Sequence, residues 1–224
     1  MEECYANDRC VAKSVSVTGG YTIDATEVTR SQYASWLSTN PATGGPPSYC
    51  GWNDSYTPSC EWPAGTKGNH PVVCVDWCDA YAYCKAVGKR LCGKIGGGAT
   101  PVDSLVDSKS SQWYNVCSSN SQNGYPYGTT YSGTTCNGKD AGNGTTVPVG
   151  SLSGCQSSVH GYEGVFDLSG NVKEWEDSCN AYGSCRQRGG SFYYYSGAVA
   201  CGNDYSNSRD LQYVDLGFRC CSSP

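Results

Sequence analysis

Sixteen cysteines in 224 residues constrain this chain more than any other feature. The number is even, and the residues are scattered from Cys4 to Cys221 instead of falling in the paired CxxC sets that hold zinc. Up to eight disulfides in an oxidising compartment is the direct reading, so an extracellular, periplasmic or cell-surface location is expected. The one CxxxC, Cys74 to Cys78, has no second half, and His70 and His160 stand apart, which argues against a zinc or three-histidine site.

Net charge is −5 and no basic run exists, which removes the counterion-release term that drives nucleic-acid binding. No apolar run is long enough for a transmembrane segment. The opening MEECYANDRC has no apolar signal-peptide core, so an exported chain of this kind would have lost its leader. Charged residues are 16% of the chain and 29 residues are glycine, a composition of long ordered loops stapled by bridges.

Two helices are legible. In VTRSQYASWLS, Tyr33, Trp36 and Leu37 share a face, with Thr29 or Ser31 as cap. In DWCDAYAYCKAVG, Trp77, Ala80, Tyr81, Cys84 and Val87 follow helical spacing, Asp76 caps the start and Gly88 supplies a left-handed stop. SSQWYNVC suggests a shorter helix. The Pro/Gly-rich stretch between the two main helices is expected to be a loop closed by Cys50 and Cys60. Turn residues run almost continuously from Ser118 to Val147, and VPVGS, RGGSFYY and LGFRCC are predicted strands.

The ordered pieces YTIDATEVTRSQYASWL, HPVVCVDWCDAYAYCKAVGKRL, GVFDLSGNVKEWE, RGGSF and LGFRC resemble the formylglycine-generating enzyme, or sulfatase-modifying factor, superfamily over residues 20–221. The resemblance implies an α+β, C-type-lectin-like fold: a small antiparallel sheet, two main helices and much irregular loop, rich in disulfides. It places the family domain at 20–224, after a disulfide-stapled extension at 1–19. It also implies bridges Cys84–Cys220 and Cys117–Cys201. Cys4–Cys10, Cys136–Cys155 and Cys179–Cys185 are nearest-neighbour pairings, while Cys74, Cys78, Cys92 and Cys221 cannot be paired from sequence. The fold also serves pure binding proteins, so it does not by itself decide function.

In the enzymes of this superfamily two cysteines after RGGS bind copper(I). The corresponding positions here are Tyr194 and Val199, and neither a phenol nor an isopropyl group replaces a soft thiolate. Copper is therefore not expected. The resemblance then points to a non-enzymatic, exported ligand-binding or adhesion protein whose partner is a cell-surface protein or glycan. The alternative is a copper-dependent formylglycine-generating oxidase acting on cysteine in sulfatase-type peptides. The expected contact face comprises Tyr193, Tyr194, Tyr195, Tyr205 and Tyr213, with Lys173 beside it, because tyrosines give rigid amphipathic area at low entropic cost. If RGGSFYYY is a strand, Phe192 and Tyr194 would instead pack inward and leave Tyr193 and Tyr195 outside.

DLSGNVKEW resembles the family's calcium-binding turn. The carry-over gives one structural calcium, with the Asp167 and Glu174 carboxylates and the Gly170 and Val172 carbonyls as ligands; a metal-free hydrogen-bonded turn is the alternative. Asp24, Glu27, Asp76 and Asp79 could form acid-base pairs, but they read more simply as turn and cap residues. Asn53 and Asn143 lie in glycosylation sequons.

Overall fold

Thr29 and Asp76 each stand one residue before an apolar helical pattern, and each caps it. The structure, a computed structural model, describes residues 2–4, 10–45 and 47–223. Helix α1 (Arg30–Leu37) begins with a capping box in which Thr29 Oγ1 accepts from Gln32 N and Gln32 Oε1 accepts from Thr29 N. Helix α2 (Trp77–Ala86) has the same device from Asp76 and Asp79, and Gly88, at φ +77°, follows its end. A third helix, α3 (Gln112–Cys117), is capped by Ser111.

Among the described residues ten short strands form three sheets. Strands β1 (Glu2–Cys4) and β2 (Cys10–Ala12) make a two-stranded ribbon. A four-stranded antiparallel sheet runs in the order β3 (Ser14–Val17), β4 (Tyr21–Asp24), β10 (Cys220–Ser222), β5 (Arg90–Leu91). A second four-stranded sheet runs β8 (Tyr205–Ser208), β7 (Ser184–Arg188), β6 (Lys173–Cys179), β9 (Leu216–Gly217), with β9 parallel to β6. Because β3 pairs with β4 from Ser14↔Asp24 to Val17↔Tyr21, the boundary expected at residue 19 falls inside a hairpin.

Three of the strand expectations need correction. VPVGS is not a strand: Ser151 N donates back to Pro148 O in a turn, and Gly150 has φ +66°. RGGSFYY leaves the sheet after Arg188, because Gly189 (φ +82°) and Gly190 (φ +65°) turn the chain where any side chain would collide. A Cβ on Gly190 would lie 2.4 Å from Ala198 O. LGFRCC is two strands in two sheets: β9 ends at Gly217, whose Cβ would meet Val72 O at 2.5 Å, and β10 begins at Cys220.

Beside a small cluster of Val73, Cys74 and Val172, two large ones fill most of the interior. In one, Tyr33 of α1 stacks on Tyr83 of α2 at 5.6 Å, with Trp36 and Phe218 edge-on to both. The other gathers Ile23, Trp113, Val165 and Leu168 around the Cys117–Cys201 and Cys92–Cys221 bridges. Arg219 grips Glu174 with two bonds of 2.7 Å, and further donors reach Asp24 O and Phe166 O, so four of the five N–H groups of the buried cation are engaged.

All sixteen cysteines are paired. Cys84–Cys220, Cys117–Cys201, Cys4–Cys10, Cys136–Cys155 and Cys179–Cys185 are present. Cys50 and Cys60 do not bond each other. Cys50 ends a 3-10 turn (Ser48–Cys50) that lies on α2 and bonds Cys78 of that helix; Cys60 bonds Cys74 just upstream of it. The loop is therefore riveted to the second helix instead of closed on itself.

Candidate binding pocket

The turn after β7, the start of β6, strand β8 and the segment before β9 surround one open cavity of about 600 Å³. Lys173 opens β6 and is 5% exposed. Its backbone N donates to Asp215 O at 2.8 Å, and its Nζ lies 3.1 Å from Asp215 Oδ2. The same carboxylate oxygen accepts from Ser191 Oγ at 2.7 Å. Around the ammonium stand three phenol rings, Tyr194 and Tyr213 at 5.4 Å and Tyr205 at 6.0 Å. Cation–π attraction is strongest where the cation is desolvated, as this one is. Burial, then Tyr194 and Asp215, pushes the Tyr205 phenol up, which favours its neutral form.

Thus Lys173, Tyr193, Tyr194, Tyr205 and Tyr213 converge on one site. Tyr195 does not line it; its ring, 56% exposed, lies under Lys139 Nζ at 5.6 Å. Since the aromatic run is a turn and not a strand, strict in-and-out alternation fails: Phe192 is buried, Tyr193 is 52% exposed against it, and Tyr194 leans over the cavity on Tyr205 at 5.2 Å. Sequence reading missed Asp215, Asn207, Gln212, Val214, Ser59 and Cys60, which complete the lining. Asp215 precedes LGFRC, yet its partnership with Lys173 arises from the parallel β6–β9 register, which no local pattern announces.

Val199 is buried at the end of a 3-10 turn (Ser196–Val199), and its carbonyl accepts from Ser169 Oγ at 2.6 Å. Cys201 is held by Cys117, so no thiol adjoins Tyr194.

In the DLSGNVKEW turn, Gly170 (φ +74°) packs so tightly on Asn137 that a Cβ would lie 2.5 Å from its carbonyl oxygen. Gly170 and Val172 are buried. Both Glu174 oxygens receive Arg219, and Oε2 also receives Trp113 Nε1 at 2.9 Å. Asp167 Oδ2 accepts from Gly150 N, whereas Asp167 Oδ1 and Glu27 Oε2 are buried without a hydrogen-bond partner. Desolvation first of all, with Asp167 and Glu174 adding repulsion, raises Glu27 well above the carboxylate range; burial lifts Asp167 to about 6. Glu27 and Asp24, read as turn residues, are buried ionisable groups, and Asp24 holds Lys89 at 2.5 Å. Asp76 and Asp79 are the cap pair expected.

The sulfatase-modifying factor enzyme 1-like domain matches residues 2–224. The chain belongs to that family. Within it, mouse formylglycine-generating enzyme is 28% identical over 185 residues, 70% of this chain and 45% of the mouse protein, so this chain spans less than half of that relative's length. Three solved structures share the fold at a TM-score of 0.62. CarF is 22% identical and covers 91% of this chain and 86% of its own. Treponema denticola variable protein 1 is 16% identical, covering 100% and 99%. PvdO from Pseudomonas aeruginosa is 16% identical, covering 100% and 98%. At these identities the likeness speaks for the formylglycine-generating-enzyme-like fold alone. Eight disulfides agree with an extracellular or periplasmic protein, and among the described residues no helix is long and apolar enough to cross a membrane.

Proposed function

We propose that this family member is a non-enzymatic ligand-binding or adhesion protein that contacts a cell-surface protein or glycan through the tyrosine-lined pocket over Lys173. The observation that carries the reading is the cage itself: a buried ammonium, one carboxylate and three phenol rings around a cavity large enough for a side chain or a sugar ring. Tyrosines held by a disulfide-braced scaffold lose little entropy on binding. The oxidase alternative requires two soft thiolates; all sixteen cysteines are in disulfides, and Tyr194 and Val199 occupy the positions that the resemblance assigns to the copper ligands.

The proposal includes calcium at the DLSGNVKEW turn. A divalent cation is the chemistry that two uncommitted buried carboxylate oxygens suit, and Asp167 Oδ1 and Glu27 Oε2 are such a pair; Glu174 instead serves Arg219.

Glycan and extracellular-protein arrays test the main reading, run in parallel with the protein and its Tyr194→Ala and Tyr213→Ala variants. Binding that both variants abolish while their unfolding transitions stay cooperative supports it. Two reactive thiols and one tightly bound copper(I) per chain, measured by alkylation and titration, would overturn it in favour of the oxidase.

A further inference from the structure

A second cleft, of about 390 Å³, lies at the end of β8: Ser208 lines it, while its strand neighbour Asn207 lines the Lys173 pocket. Tyr49, Trp52 and Tyr182 present their rings here, 49%, 47% and 96% exposed. Exposed large aromatics gathered in one place mark a surface that is covered by something else. The backbone that carries them is braced. Cys50–Cys78 ties the Tyr49 turn to α2, Trp52 Nε1 donates to Tyr49 O at 2.8 Å, and Tyr182 tops the β6–β7 hairpin that Cys179–Cys185 closes.

Among these rings lies Arg209. Its guanidinium stacks on Tyr49 at 4.1 Å and abuts Gly183, whose Cβ would meet Nε at 3.2 Å. Among the described residues it has no ion pair, and Nη1 is buried without a hydrogen-bond partner. Asp210, at the rim, instead receives Ser208 Oγ. Lys173 is matched by Asp215, whereas Arg209 is a positioned cation with no carboxylate partner among the described residues. Tryptophan, tyrosine and arginine together are the composition of protein–protein hot spots, and a planar guanidinium is shaped for a carboxylate.

We infer that the Arg209 cleft is a second subsite of the binding face, taking an acidic side chain flanked by an aromatic or apolar residue of a partner protein. This deepens the binding reading proposed above and rests on it.

The probe is the capped dipeptide acetyl-Asp-Phe amide, followed by the NMR signal of the Trp52 indole N–H; Trp36, Trp77, Trp113 and Trp175 are buried, and Trp62 is half-buried against Tyr33. A saturable millimolar shift is expected. It should weaken at least fivefold with acetyl-Asn-Phe amide and with Arg209→Gln, and tighten about twofold in Asp210→Asn, as charged hydrogen bonds dictate. Arg209→Gln keeps the backbone bonds Arg209 N to Gly183 O and Trp77 N to Arg209 O, so it should melt like the parent. Lys173→Met separates this inference from the first pocket: the Trp52 response should survive there. No saturable response, or one that Arg209→Gln leaves intact or Lys173→Met removes, overturns the inference. Tighter binding of glucuronate than of the peptide overturns the protein partner.

Discussion

Replacing Lys173 by methionine probes whether the pocket floor is dry. At 3.1 Å the ammonium and the Asp215 carboxylate attract by about 5 kcal/mol at an effective dielectric of about 20. Lys173→Met leaves Asp215, 6% exposed, with only Ser191 Oγ, and an uncompensated buried charge costs about 3–5 kcal/mol. The cavity lets water approach, so about 3 kcal/mol is expected. Asp215→Asn strands an ammonium that still has three rings, each worth about 0.5–1 kcal/mol, so its loss is nearer 2 kcal/mol. The double variant removes both charges and should lose no more than Lys173→Met alone, which makes the coupling about 2 kcal/mol. Guanidinium-induced unfolding without reductant, followed by circular dichroism, gives all four values. Urea melts at 0.1 and 1 M NaCl then show whether the coupling survives salt, as it should for a desolvated pair. A coupling below about 0.5 kcal/mol, the range of exposed pairs, refutes the reasoning and makes the floor solvent.

Cys84–Cys220 and Cys92–Cys221 are neighbours in space and order, so each nearly duplicates the loop closed by the other. Removing either leaves a loop of about 10 residues unclosed and costs about 2.7 kcal/mol, whereas removing both also frees a path of about 53 residues through Cys117–Cys201, about 4 kcal/mol more; additive losses in denaturant melts would sink this account. Burial lifts the Asp177 carboxyl to about 6, so this group favours the native state below pH 4, and that advantage, up to about 3 kcal/mol, fades as pH rises through 6; Asp177→Asn should flatten this part of the stability profile. Gly190→Ala, with its left-handed φ and a contact of 2.4 Å, should cost several kcal/mol and disorder the Tyr193–Tyr195 turn, read as a lower melting temperature and weakened binding. If calcium joins Asp167 and Glu27, a chelator lowers the melting temperature of the parent and leaves Glu27→Gln unchanged; an unmoved parent transition removes the ion from the proposal.

What the chain itself determined is local or chemical. Caps at Thr29 and Asp76, helical spacing in DWCDAYAYCKAV, turn residues from Ser118 onward and the absence of thiols beside Tyr194 all follow from neighbours in sequence or from residue type. The short-range pairs Cys4–Cys10 and Cys179–Cys185 belong here too, since a six-residue separation leaves few alternatives. Tertiary structure decided the rest. Cys50 went to Cys78 because the second helix packs against its turn, and RGGSFYY became a bend because Ala198 and Leu168 crowd Gly190 and Gly189. The partnership of Lys173 with Asp215, 42 positions apart, exists only because β9 lies parallel to β6, and Arg209 finds Tyr49 only through the docking of two loops on α2 and the β6–β7 hairpin. A site assembled from segments so far apart is set by packing and register, whose energies depend on the whole fold, and so it leaves no periodic trace in the sequence.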